Sequence, residues 1–151
     1  VIHGDELCTN DHAYQSFKQE VRQSAWIEQF LQKPLSDRQE IAEGLRQASR
    51  EAQANRPEAI GDAVSSEIEL WMTRYSAAVL VHGHTHRPAI QPTKNGLRAV
   101  TSDWGYTGIG IFADTFDSEQ IISLAHLAPT GPVISEQWSR QAGMPEWKRN
   151  S

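Results

Sequence analysis

The sequence predicts an α/β (α+β) fold in which a helical segment is inserted between strand-forming parts of the chain. Residues 77–81 are a short apolar, β-branched run, which is typical of a buried strand. Apolar residues at helical spacing occupy 11–55 and again 62–75. The Asn95-Gly96 pair is a strong hairpin signal. Three later strands are predicted, the first two pairing antiparallel, at 97–101, 108–113 and 120–127.

The helical segment begins at Asp11, a plausible N-cap. Its first helix is predicted to run to Pro34, and a second helix occupies 38–54. A third helix covers 62–75. The final residues, 129–151, are rich in Pro, Ser, Gln and Gly, and this composition predicts an irregular, partly disordered tail.

Composition limits the classes of function. At 151 residues the chain has the length of one domain, and its mean hydropathy of −0.55 is that of a globular protein without a bilayer-spanning run. A net charge of −5 argues against a nucleic-acid partner. The single cysteine, Cys8, cannot form an internal disulfide and is expected to be a small buried residue. The chain opens on Val1-Ile2 as if partway through a strand, which favours a fragment or a processed chain.

Three histidines at alternate positions follow the strand 77–81. In an extended chain alternate residues share a face, so His84 and His86 are predicted to aim at a common point. His82 precedes Gly83 and is expected to end the strand with a structural hydrogen bond. Clustered neutral imidazoles suit transition metals such as Mn, Fe and Zn. The alternative is that these histidines make ordinary surface hydrogen bonds, but the strand–Gly–His–Thr–His order favours a metal site.

The same local pattern occurs at the start of the chain, where Val1-Ile2 precedes His3-Gly4-Asp5. His3 is therefore a candidate third ligand. Asp5 has two possible roles: its carboxylate orients the His3 ring, or it caps the following turn.

These two histidine segments resemble the metal-ligand motifs of the calcineurin-like metallophosphoesterases. The stretches His3–Asp11 and Val81–Pro88 are similar to those of one family among them, the UDP-2,3-diacylglucosamine diphosphatases of lipid A synthesis. Asp103-Trp104 falls where that family has a similar pair. The resemblance covers Val1 to about Ala125.

The resemblance implies a four-layer α/β/β/α sandwich with an inserted helical cap, of which this chain is the C-terminal half. Residues 1–10 and 76–128 would form that half domain, and 11–75 the cap with the helix that follows it. The family's Asp-x-His pair, bridging aspartate and Asn-Arg-Asp stretch are absent from this sequence. The chain alone is therefore expected to be inactive.

The resemblance also implies site residues. His3 and His84 would bind one metal and His86 the other, with Mn(II) as the expected pair of ions in a complete site. The implied substrate contacts are Asp11, Ser49, Gln53, Arg56 and His84. Two of these, Gln53 and Arg56, depart in residue type from the family. For Asp11 and Arg56 the alternatives are an N-cap and a solvated loop charge.

The implied reaction is hydrolysis of UDP-2,3-diacylglucosamine to UMP and 2,3-diacylglucosamine 1-phosphate. The glycolipid substrate implies a cytoplasmic enzyme that binds peripherally to the cytoplasmic face of the inner membrane. Two alternatives stay open. One is another calcineurin-like phosphoesterase, against which the long helical insert argues, and the other is a non-catalytic metal-binding module.

Overall fold

The computed structural model describes residues 1–55, 57–103 and 108–150. Within that part of the chain the fold is α+β, as predicted. The four helices are α1 His12–Val21, α2 Ser24–Leu31, α3 Leu35–Asn55 and α4 Ser65–Arg74, with 3₁₀ turns at Asp5–Leu7 and Glu58–Gly61. The seven strands are β1 Val79–His82, β2 Ala89–Thr93, β3 Gly96–Val100, β4 Gly108–Phe116, β5 Glu119–Ala128, β6 Gly131–Gln141 and β7 Lys148–Arg149.

The chain divides into two compact units. The strands and α4 belong to a unit formed by Val1–Leu7 and Ala63–Ser151, and α1 to α3 belong to a helical unit, Cys8–Asp62. The predicted segment 11–75 combines the cap with the helix that follows it, and that following helix, α4, is grouped with the strands. None of the described helices combines the length and the apolar character needed to cross a bilayer.

The strand unit contains two sheets. In the first, with order β1-β3-β2, β3 runs parallel to β1 and antiparallel to β2. The second sheet is antiparallel throughout, with order β4-β5-β6-β7. Both edges of β3 are therefore occupied within its own sheet. The predicted pairing of 97–101 with 108–113 is wrong, because β4 pairs with β5 instead.

Two apolar clusters hold the strand unit together. Ile90, Leu97 and Ala99 of the first sheet pack with Ile122 and Leu124 of the second. The other cluster joins α4 to β1 and to the start of the chain, through Leu7, Ile68, Met72 and Leu80. Burial of these side chains stabilises the unit and fixes β1, at whose end the histidines lie.

The helical unit begins as predicted. The Asp11 carboxylate accepts a hydrogen bond from the backbone N–H of Tyr14 at 3.1 Å, so its N-cap role is confirmed. Cys8 is fully buried, as expected, and its thiol donates to the carbonyl oxygen of Gly61. The single helix predicted up to Pro34 is wrong, because α1 ends at Val21 and α2 begins at Ser24. The apolar face shifts across this break, and two short helices accommodate the shift.

The predicted irregular tail is also wrong within the described residues 129–150. Gly131–Gln141 forms the long strand β6, which pairs with β5 and with β7. Its polar side chains bond across the sheet: Gln137 donates to Ser123 at 3.0 Å and Ser139 to Asn150 at 3.1 Å. Partners distant in sequence thus stabilise a strand whose composition alone favours disorder.

Candidate metal centre

Two backbone segments meet at the end of β1. The N–H of Ile2 donates to the carbonyl of Val81, and the N–H of Gly83 donates to the carbonyl of His3, both at 3.0 Å. Ile2 and His82 form a parallel bridge. These hydrogen bonds hold the segment that bears His3 beside the loop that bears His84.

Gly4 allows this close approach. Its φ of +109° is left-handed, and an added Cβ would lie 2.7 Å from Nδ1 of His82 and 3.1 Å from the carbonyl oxygen of Gly83. A side chain at this position would therefore push the two segments apart.

The rings of His3 and His84 lie together. Their centroids are 5.1 Å apart and their planes are inclined by 62°, an edge-on arrangement. Nδ1 of His3 is 2.8 Å from Oδ1 of Asp5, and this carboxylate is fully buried. Of the two roles considered for Asp5, the structure shows the contact with the His3 ring. The contact fixes the orientation of the His3 ring. It directs the lone pair of Nε2 of His3 towards a metal ion or a hydrogen-bond donor.

His86 does not follow the extended geometry expected from the sequence. The φ angles of His84 and His86 are +62° and +53°, and the N–H of Thr85 donates to the carbonyl of Gly83 at 2.7 Å. The chain turns here, so the alternation argument that placed His84 and His86 on one face is wrong. Instead, Nδ1 of His86 lies 3.8 Å from Oδ2 of Asp103, and both side chains are exposed.

His84 and His86, on either side of Thr85, both have a left-handed backbone conformation. For a residue with a Cβ this conformation costs about 1 kcal/mol. Such conformations persist where neighbouring contacts impose them, and they are concentrated at binding and catalytic sites. The loop Gly83–Pro88 therefore has the backbone character of a functional loop.

The residues present fit part of a metal coordination shell. Imidazole nitrogens are ligands for Mn, Fe, Co, Ni and Zn, and the His3–His84 pair would supply two of them. Among the residues that the structure describes, no group of three or more His, Cys, Asp or Glu side chains is arranged to hold a metal ion. Further metal ligands would have to come from groups other than His3 and His84.

His82 has a different environment. It is the last residue of β1, is 1% exposed, and bonds through both ring nitrogens: Nδ1 lies 2.8 Å from the carbonyl of Gly83 and Nε2 accepts from Nε of Arg98 at 2.9 Å. The structural hydrogen bond predicted for His82 is confirmed. Arg98 was not predicted from the sequence. The feature of the sequence that could have indicated its role is that Arg98 is the one charged residue in the otherwise apolar strand β3.

No family model matches the chain. The UDP-2,3-diacylglucosamine hydrolase of Chromohalobacter salexigens is 39% identical over 108 aligned positions, and the alignment covers 69% of this chain and 44% of that enzyme. The hydrolase of Aromatoleum aromaticum is 40% identical over 106 aligned positions, and the alignment covers 68% of this chain and 43% of the enzyme. That of Xanthomonas axonopodis pv. citri is 37% identical over 134 aligned positions, and the alignment covers 80% of this chain and 54% of the enzyme.

The chain is similar to part of the UDP-2,3-diacylglucosamine hydrolases. It spans about half the length of the curated relatives it matches. The family resemblance seen in the histidine motifs is thereby confirmed as a partial match, and it extends well beyond those motifs.

The substrate contacts suggested by the similarity to the hydrolases belong to the helical unit, apart from His84. Asp11 caps α1, and Ser49 is an exposed residue of α3. Gln53 lies on α3, but the position of its side chain is outside the description. Arg56 lies outside the described residues, as does Trp104 of the Asp103-Trp104 pair. The assignment of the five predicted contacts to substrate binding stays a prediction: Asp11, Ser49, Gln53, Arg56 and His84.

Proposed function

We propose that the chain forms part of a metal-dependent hydrolase that cleaves the pyrophosphate of UDP-2,3-diacylglucosamine to UMP and 2,3-diacylglucosamine 1-phosphate in lipid A biosynthesis. The observation that carries the proposal is the identity of 37–40% to hydrolases named for this substrate. The paired rings of His3 and His84 at the end of a buried strand agree with it.

In this proposal the strand unit is the C-terminal half of a four-layer α/β/β/α sandwich, and the helices of Cys8–Asp62 are its cap. Two features support this arrangement: the strands form two sheets joined by an apolar cluster, and the helical unit is one continuous insertion between Leu7 and Ala63.

The complete site is proposed to hold two Mn(II) ions, one bound by His3 and His84 and the other by His86. Divalent cations bound there would supply Lewis-acid activation of the phosphoryl group and of the attacking water. The chain's own residues prepare the site. Asp5 orients the His3 ring, and neutral imidazoles add no negative charge that would repel a diphosphate. Substrate contacts are also proposed at Asp11, Ser49, Gln53, Arg56 and His84.

Further parts of the proposal concern the surroundings of the enzyme. Its substrate carries acyl chains, so the protein would act as a peripheral protein on the cytoplasmic face of the inner membrane. A net charge of −5 is unfavourable for binding nucleic acid.

A chimaera tests the proposed activity. In it, the whole 151-residue chain replaces the matched segment of the Chromohalobacter salexigens hydrolase together with the residues that follow that segment. With Mn(II) and UDP-2,3-diacylglucosamine, the chimaera should release UMP, whereas the 151-residue chain alone should not. The reason is that the described residues bring together one pair of imidazoles and not a full ligand set. Turnover by the chain alone would contradict its proposed inactivity, and a folded but inactive chimaera would contradict the function.

The second candidate, a non-catalytic metal-binding module, is favoured by that same pair of imidazoles without a third described ligand. It predicts a folded chimaera that binds metal and releases no UMP.

Asp11→Ala separates the two roles considered for Asp11. Loss of the N-cap should cost about 1 kcal/mol of stability and lower the Tm. If Asp11 also contacts the substrate, kcat/KM of the chimaera should fall as well, and we expect this result. Asp37→Ala is the control, because Asp37 is an exposed acid in the first turn of α3. A lowered Tm with unchanged kcat/KM would leave Asp11 as a cap only.

A further inference from the structure

We propose that Arg98 and His82 form a buried positioning pair that holds the His3 and His84 rings side by side without binding metal or substrate. The inference rests on the proposed metal role of His3 and His84. It concerns two residues that are not among the proposed metal ligands.

Arg98 is fixed within the first sheet. It lies on the central strand β3 and is only 7% exposed. Its Nε donates to Nε2 of His82 on β1 at 2.9 Å, and its Nη1 donates to Oε1 of Gln91 on β2 at 3.0 Å. The guanidinium is thus held from both neighbouring strands, which leaves little freedom to the His82 ring it contacts.

The hydrogen bonds determine which ring nitrogen of His82 carries the proton. A guanidinium has donors but no acceptor, so Nε2 of His82 must present its lone pair to Arg98. The proton of the neutral ring is then on Nδ1, where it is donated to the carbonyl oxygen of Gly83 at 2.8 Å. Both ring nitrogens are occupied, and neither is left to bind a metal.

The His82 ring connects to both ligand-bearing segments. The carbonyl of Gly83 that accepts from His82 also accepts from Thr85, which closes the turn containing His84. On the other side, the ring lies so close to Gly4 that a Cβ there would meet Nδ1 at 2.7 Å. Gly4 is the residue between His3 and the Asp5 that orients it. One ring therefore supports the backbone of both His3 and His84.

The buried charge of Arg98 supports a positioning role over simple packing. The Arg98 side chain is only 7% exposed, so its cation is largely withdrawn from water. Burying a cation in such surroundings is costly, and a well-packed apolar residue often stabilises such a position as well or better. A guanidinium at this position does what an apolar side chain cannot, because it fixes the tautomer and orientation of His82.

Nuclear magnetic resonance of the 151-residue chain tests the inference directly. Long-range ¹H–¹⁵N correlations should show His82 as the Nδ1–H tautomer, and ring-to-ring cross-peaks should connect His3 and His84. In Arg98→Met those cross-peaks should weaken or disappear. Arg140→Met is the matched control, since Arg140 also donates through Nε to a neutral acceptor, Gln120, and stacks on Trp147 away from the loop. Arg140→Met should keep the cross-peaks between the His3 and His84 rings.

Two substitutions of His82 separate its hydrogen bonds. His82→Gln keeps an acceptor for Arg98 but loses the donor to Gly83. His82→Asn keeps the donor to Gly83 but loses the acceptor for Arg98. Because the inference needs both bonds, each variant should weaken the His3–His84 cross-peaks. Retention of wild-type cross-peaks in either variant would overturn it.

Zinc(II) titration provides a second measurement, with the metal itself as the probe. Loss of a residue that orients metal ligands typically lowers metal affinity by about 10- to 100-fold. We expect about a tenfold loss in Arg98→Met and none in Arg140→Met. An Nε2–H tautomer for His82, or equal effects of the two arginine variants, would overturn the inference. A wild-type chain that fails to bind zinc would show that the His3–His84 pair does not hold a metal ion by itself, and the cross-peaks would still decide the positioning role.

Discussion

We expect His84→Ala and His86→Ala to lower kcat/KM of the chimaera for UDP-2,3-diacylglucosamine by at least about 10³-fold. Each substitution removes a proposed metal ligand, and a loss of this size corresponds to about 4 kcal/mol of transition-state stabilisation. His126→Ala is the control, because His126 is an exposed histidine of β5 in the other sheet. It should retain kcat/KM within about twofold, a negligible difference in energy.

Stability should change little in the His84 and His86 variants. Both positions are left-handed, and alanine carries the same Cβ as histidine, so the backbone cost is similar before and after substitution. Unfolding in urea would show whether activity is lost without loss of the fold. Activity of His84→Ala at the level of His126→Ala would contradict the proposed role of His84, and the same comparison applies to His86.

The part of the site that was predictable follows from local sequence. A histidine next to a glycine at the end of an apolar run identifies His3 and His84 as neighbours of strand ends, and the structure brings their rings together. The N-cap at Asp11 and the burial of Cys8 are predictable for the same reason. Each depends on a few adjacent residues.

The missed features depend on residues distant in the chain. The turn at His84 and His86 requires φ values that residue type does not encode, because they are imposed by the hydrogen bonds around Gly83. Arg98 meets His82 only because β3 lies parallel to β1. The strand β6 forms because β5 is available to pair with it.

The strand unit should be especially sensitive to Gly96→Ala. Gly96 has a φ of +146°, and a Cβ there would overlap the carbonyl oxygen of Ala78 and approach Cε of Met72. That carbonyl accepts the hydrogen bond of Leu97, which begins the pairing of β3 with β1. The clash is with backbone, so it can be relieved only by moving the strands apart. We expect a loss of about 3–5 kcal/mol in the free energy of unfolding.

Gly131→Ala isolates the conformational part of this loss. Gly131 also has a left-handed φ, +120°, but an added Cβ would meet no atom within 4 Å. Its substitution should therefore cost only the backbone strain, about 1 kcal/mol. Urea denaturation of the two variants measures the difference, which is the cost of the clash with Ala78. Equal losses would mean that the first sheet relaxes around the new methyl group, and that the β1–β3 pairing does not depend on glycine at position 96.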